Sequence, residues 1–314
     1  MDYLFLAIAT ILNTTNSLFW KKVSTETKSD TVLHAKSSFI FVVSALVVLL
    51  WAFIGKTLVP PSILTIIIAL AFALSRTVLQ ASLLFAMRIG AASITQLIFS
   101  LGILLPIIYG AIVLNEGISL MQYLGMALFF LSLTLIMNPK ADKSFRPLWL
   151  ALCLIAATCS GINAVLQKLH QATEASAERE TLCILALGFS ALFSLILSAF
   201  TRLKEKRGKI ATEEANEQNE SVIHADLTKA AHQGATTKTL LLLVICGICI
   251  GVVSALNFML AGRLDAVIQF PIYNIGSIVL VSLGGLLFYK EKLSRMQFLG
   301  FGIGCAAILF IGIF

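Results

Sequence analysis

The chain has 314 residues, 58% hydrophobic and 12% charged, with a formal net charge of +7. A mean hydropathy of +0.94 excludes a water-soluble fold, because soluble proteins of this size keep a large polar shell. The basic residues sit in short loops between apolar runs, a membrane-topology pattern rather than a nucleic-acid footprint, so the expected class is an all-α polytopic membrane protein.

A bilayer-crossing helix needs about 20 apolar residues. Ten stretches approach this, at approximately 2–20, 35–55, 62–87, 93–114, 120–137, 148–169, 180–203, 239–262, 267–288 and 296–314. Segment one has neither a basic leader nor a small-residue cleavage site, and it carries Asn13 and Asn16. It reads as a retained helix rather than a signal peptide. Segment three contains "IALAFALSRTVLQASLLFAM", with Arg76 near its middle and Gln80 one turn later. Segment four carries Gln96, Ser100 and Pro106, and segment five has few polar groups. Segment six carries Ser160, Asn163 and Gln167. After segment seven comes a polar, charged stretch without hydrophobic period, about 204–238, expected to be a flexible loop, with a surface helix as the second possibility. Segment eight carries Asn257; segment nine carries Gln269, Pro271, Tyr273 and Asn274.

Polar side chains inside membrane helices mark pathways, because unpaired polar groups in hydrocarbon are penalised. The candidate solute-binding residues are therefore Arg76, Gln80, Asn13, Asn16, Gln96, Asn163, Asn257, Tyr273 and Asn274. Pro106 and Pro271 each free a backbone carbonyl that a polar solute can use. The plainer reading of any one Asn or Gln is a bond between helices, and of Arg76 a pairing with carbonyls. A central Arg costs at least ~2.5 kcal/mol on insertion scales, and no Asp or Glu interrupts an apolar core to offset it. Such a group suits a substrate carboxylate or phosphate, which it can grip with two parallel bonds.

Other chemistry finds little support. All six cysteines fall in apolar segments and read as small buried side chains; Cys246 and Cys249 have redox spacing but no soluble fold around them. The four histidines lie in loops or at helix ends without metal-ligand spacing, and no phosphate-binding glycine loop is present. No enzyme activity, metal or cofactor is expected.

The chain also repeats itself. "NEGISLMQYLG" at Asn115 and "KEKLSRMQFLG" at Lys290 match at an offset of 175, with six of ten residues identical from Glu116 and Glu291 onward. Ser119 and Ser294 stand where helix N-caps belong. Glu116 and Glu291 precede those helices, near the positive end of the dipole; they read as turn-fixing residues, with gating as the second possibility. Asn16 and Lys21 match Asn163 and Lys168 more weakly at an offset of 147. The halves are 1–138 and 139–314. Five helices per half is an odd number, so the second half enters the membrane from the opposite side, giving two inverted-topology repeats. The 175 offset places Gly251 opposite Arg76, so the halves differ at this position.

With five plus five helices and the Glu-x-x-Ser-x-x-Gln-x-x-Gly element twice in register, the chain resembles the drug/metabolite transporter superfamily, EamA type. The resemblance implies a plasma-membrane carrier of small polar metabolites, secondary active or facilitative, working by alternating access between the repeats. Its partners would be a small solute and the bilayer, with no nucleic acid, as a monomer or homodimer. A multidrug or toxic-compound exporter is the alternative, and a membrane-embedded enzyme or sensor the less favoured third. The small multidrug resistance relatives use a membrane-embedded Glu in helix one; Asn13 and Asn16 stand in that region and cannot titrate, which disfavours a proton-coupled cation pump. Lysines and arginines number 18 on the side of the odd-numbered loops and 4 on the other. That count places both termini outside, whereas the resemblance implies cytoplasmic termini.

Overall fold

The computed structural model describes residues 1–27, 29–89, 95, 98–136, 147–213, 237–289 and 295–313. Every regular element among them is helical. In chain order they are α1 (Asp2–Glu26), α2 (Asp30–Gly55), α3 (Ile63–Ile89), α4 (Leu104–Val113), α5 (Leu120–Ile136), α6 (Pro147–Gln171), α7 (Arg179–Glu213), α8 (Thr237–Ala261), α9 (Ala266–Tyr289) and α10 (Arg295–Ile313). A short 3-10 turn, Ser100–Ile103, leads into α4. Gln96, Glu291 and Ser294 lie outside the described residues, as does 214–236 of the polar stretch.

Five helices, α2, α3, α6, α7 and α8, are long and apolar enough to cross a membrane. α1 has the length, at 25 residues, but its middle reads Asn13-Thr14-Thr15-Asn16-Ser17. Outward faces are apolar: Phe53 and Ile54 on α2 are 75% and 73% exposed. A contiguous surface of that kind is not left facing water.

Local chemistry accounts for the helix ends. Ser29 caps α2, accepting from Val32 N at 3.5 Å, with Asp30 in the first turn. Ser119 caps α5 as its position predicts. Its Oγ accepts from Gln122 N at 3.2 Å while Ser119 N donates to Gln122 Oε1 at 2.9 Å, a reciprocal capping box. Asn115 takes a positive φ of 53° to turn the chain between α4 and α5. The C-terminal end of α7 departs from expectation: the helix continues through 204–213, where a loop was expected. The apolar run stops at Leu203, but Lys, Glu, Arg and Ala favour helix whatever their hydropathy.

Among the described residues, packing forms two large apolar clusters and a small third one of Ala86, Ile98, Trp149 and Cys153. The largest joins α1, α2, α3, α7 and α8 through Phe41, Phe72, Leu182 and Phe258. The second joins α4, α5, α9 and α10 through Ile107, Phe129, Phe270 and Ile311. Most of the larger helix contacts come in matched sets, although α9 packs on α10 without a comparable contact between α4 and α5. α2 packs on α7 and α5 on α10; α3 packs on α6 as α8 does on α1; α3 packs on α7 as α8 does on α2; α1 packs on α9 as α6 does on α4. Serine hydroxyls fasten several crossings to carbonyls, with Ser38 on Ala191 O at 2.8 Å, Ser44 on Gly247 O at 2.9 Å and Ser132 on Gly300 O at 2.7 Å. Where α4's leading turn crosses α6, Gly102 and Gly161 let the backbones meet; a Cβ on Gly161 would lie 2.5 Å from Gly102 O.

Candidate functional site

A cavity lies between the two large clusters, walled by α1, α3, α6, α8, α9 and the turn into α4. Those are three helices from each half, at corresponding places in the order. The cavity offers about 160 Å³ to the centres of water-sized molecules. At roughly 10–15 Å³ per water centre, that is room for on the order of ten waters, enough for a small metabolite.

Eight of the nine candidate binding residues face this space. α1 brings Asn13 and Asn16; α3 brings Arg76 and Gln80; α6 brings Asn163; α8 brings Asn257; α9 brings Tyr273 and Asn274. Gln96, the ninth, lies outside the described residues. Ser160, Gln167 and Pro106 also line the wall. Pro271 does not: it is buried within α9, next to Phe270, whose ring faces the cavity. Gln269 turns away as well, donating to Asn257 O at 3.0 Å.

The polar run in α1 resolves into two roles. Its hydroxyls bond back to carbonyls of their own helix: Thr10 to Leu6, Thr14 to Thr10, Thr15 to Ile11 and Ser17 to Asn13. The two asparagines are left to face inward. Asn13 Nδ2 donates to Ser277 Oγ at 3.1 Å, and Asn16 Oδ1 is buried without a partner.

Unsatisfied polar atoms gather here. Among the described residues, seven buried side-chain polar atoms have no hydrogen-bond partner. Five of them belong to residues lining the cavity: Asn16 Oδ1, Trp20 Nε1, Arg76 Nε and both Nδ2 and Oδ1 of Asn163. Such groups are rare and expensive in a folded protein unless water or a ligand completes them. The Arg76 guanidinium lies 5.9 Å from the centre of the Phe41 ring, so one side of it rests on an aromatic face. No carboxylate or imidazole lines the cavity among the described residues. Behind Arg76 a smaller recess continues between α3 and α8, reaching Phe72, Val253 and Ser254.

Trp20 was not among the candidates, because its size and ring class it as apolar. Its register was the available signal: Asn13, Asn16, Ser17 and Trp20 follow the i, i+3, i+4, i+7 spacing of one helix face.

Gly251, which the repeat pairs with Arg76, lies against α2, where a Cβ would come 2.8 Å from Ser44 O. An arginine has no room there. Among the described residues the cavity's one charged side chain comes from α3, in the first half of the chain.

Glu116 belongs to a different place. It forms an ion pair with Lys168 at 2.8 Å, and Lys168 Nζ also donates to Leu264 O. The second Glu116 oxygen accepts from Ala266 N at 2.7 Å, the first residue of α9. Its carboxylate therefore caps α9 in the other half rather than α5, which it precedes. Gly110 makes room for it, since a Cβ there would strike Glu116 Oε2. This clasp sits one residue beyond Gln167. On the same face Arg263 pairs with Asp2 at 3.2 Å, and Glu178 accepts from Ser62 N at 2.7 Å at the start of α3.

The fold is similar to that of a protein of known crystal structure, with a TM-score of 0.64 and 14% identity, covering 97% of this chain and 96% of that one. At such identity the likeness concerns the fold alone, and it extends over nearly the whole of both chains. No protein-family model and no curated protein matches the sequence.

Proposed function

We propose that this protein is a multi-pass plasma-membrane carrier of a small polar metabolite bearing an anionic group. In this reading ten helices form two inverted five-helix repeats of the drug/metabolite transporter type, and alternating access exposes the cavity to each side in turn. The observation that carries the reading is the convergence of Arg76 and four other unpartnered buried polar atoms on one metabolite-sized cavity. A protein with no solute to bind has no reason to leave them open.

The matched helix contacts support the repeat. Exchanging the halves maps α2–α7 and α5–α10 onto themselves and α3–α6 onto α8–α1, as a pseudo-two-fold axis in the membrane plane requires. Two conformations related by that exchange have similar energies, which suits a carrier that must visit both. The ion pair of Glu116 and Lys168 joins α6 to the turn between α4 and α5 at one end of the cavity helices.

A multidrug exporter remains the second reading, favoured by the rings of Trp20, Phe99, Phe270 and Tyr273 in the wall. One experiment separates the two. Purified protein is screened for thermal stabilisation by metabolites and by lipophilic drugs, with Arg76→Ala alongside. A metabolite carrier is stabilised by anionic metabolites, and Arg76→Ala abolishes the effect while remaining folded. Stabilisation by lipophilic cations that survives Arg76→Ala overturns the assignment.

A further inference from the structure

Resting on the carrier reading, we infer that the solute is a net monoanion that also offers hydroxyl-type donors, and that it crosses without a proton, so that each turnover moves one charge.

The charge of the site sets the charge of the solute. Arg76 is the one charged side chain among the described cavity residues, and a guanidinium stays protonated at any physiological pH. Lys168, close by, is neutralised by Glu116. The empty cavity therefore holds one net positive charge. A bound monoanion brings the total to zero. A zwitterion leaves the positive charge uncompensated, a cation doubles it and a dianion reverses it, each in a site partly shielded from water.

The orphaned atoms set the rest of the solute's chemistry. Three are donors, Arg76 Nε, Trp20 Nε1 and Asn163 Nδ2; two are acceptors, Asn16 Oδ1 and Asn163 Oδ1. Both ends of the Asn163 amide are free, so the balance there holds whichever way that amide points. A carboxylate accepts only and leaves the two acceptor oxygens unmet. An ammonium group would meet them but restores the excess charge. Hydroxyls meet them without charge, so a hydroxylated monocarboxylate satisfies both conditions.

Proton coupling needs a group that titrates near neutral pH. No Asp or Glu interrupts an apolar segment anywhere in the sequence. His170 is the histidine nearest the cavity in sequence, beyond Gln167, and its Nε2 is engaged by Thr65 Oγ1 at 3.0 Å. The phenol of Tyr273 carries no group that changes charge near neutral pH. Over a full cycle the carrier returns to its starting charge, so the charge moved is that of the solute, and the membrane potential acts on it directly.

The test uses the full chain in proteoliposomes with three radiolabelled probes: gluconate as a hydroxylated monoanion, glutamine as a zwitterion and glucose as a neutral polyol. Potassium gradients with valinomycin set the potential, and pH gradients are imposed separately. The expected result is gluconate uptake in preference to the others. A tenfold potassium gradient, interior positive, raises its equilibrium accumulation about tenfold, and a pH gradient of one unit leaves it unchanged. Arg76→Gln, monodisperse on size exclusion, loses gluconate uptake; Arg76→Lys keeps the charge but not the fork, so its weakened uptake still responds to potential. Preference for glutamine or glucose, or accumulation that follows the pH gradient, overturns the inference and leaves a carrier. Uptake of none of the three overturns the inference and the carrier reading together.

Discussion

Arg76, half-buried, and Lys168, buried, are two cations inside one bundle, and their surroundings differ completely. Lys168 has a carboxylate at 2.8 Å and a carbonyl as well, and the carboxylate is itself bonded to the first N–H of α9. Arg76 has a ring face and open space, and its Nε has no partner. The first arrangement is complete within the protein and serves to hold the halves together. The second is incomplete within the protein, and what completes it must come from outside. A buried charge is thus read by its partners rather than by its presence: satisfaction points to architecture, orphaning points to a ligand.

The largest effect tests the complete site. Lys168→Met leaves Glu116 buried with no cation, and breaking a buried pair in this way costs about 3–5 kcal/mol. The expected outcome is a lowered thermal midpoint, with most of the loss restored in the Lys168→Met/Glu116→Gln double variant. Gln keeps a carbonyl oxygen for Ala266 N without carrying charge. A double variant no more stable than the single one would show that the pair is not coupled as the geometry requires.

The mirror-image outcome is expected at Arg76. Arg76→Ala lowers solute uptake at least about 100-fold, on the order of 2.7 kcal/mol of lost stabilisation. The thermal midpoint of the unliganded protein stays level or rises, because an unpaired charge has been removed. Asn163→Leu extends the contrast at smaller scale: two orphaned polar atoms disappear, so stability is held or improved while affinity falls roughly tenfold, the worth of about one hydrogen bond. A large stability loss in either variant would reclassify that residue as structural.

The cavity was legible in the sequence because a polar residue in an apolar helix is a conspicuous exception. Asn13, Arg76, Asn163 and Asn257 stand out against leucine and isoleucine, and in the fold they meet. The clasp was not legible in the same way. Glu116 and Lys168 are 52 residues apart, and both sit at helix ends, where charges are ordinary. Nothing local tells which of several loop cations a loop carboxylate will meet, or that Glu116 caps α9 rather than α5. Trp20 was hidden by the opposite bias, since only its helix-face register, not its type, connects it to the asparagines. The extension of α7 past Leu203 was missed because hydropathy marks where apolar character stops, not where a helix does.

The smallest predicted effect separates local architecture from both sites. Ser119 and Gln122 form a self-contained capping box at the start of α5, a helix that contributes nothing to the cavity wall. Ser119→Ala removes the oxygen that accepts from Gln122 N, leaving one of the orphan donors of the first turn to water. Loss of a cap of this kind costs about 1 kcal/mol. Ser119→Asn and Ser119→Asp keep an acceptor at the same place, so both should retain most of the stability. Because Glu116 lies three residues away, the variant also asks whether the clasp depends on the turn that presents it. If the clasp holds α9 through its own bonds to Lys168 and Ala266, Ser119→Ala lowers the midpoint slightly and leaves solute affinity where it was. If affinity falls with the cap, the turn between α4 and α5 is coupled to the cavity, and the two regions contrasted at the outset are parts of one mechanism.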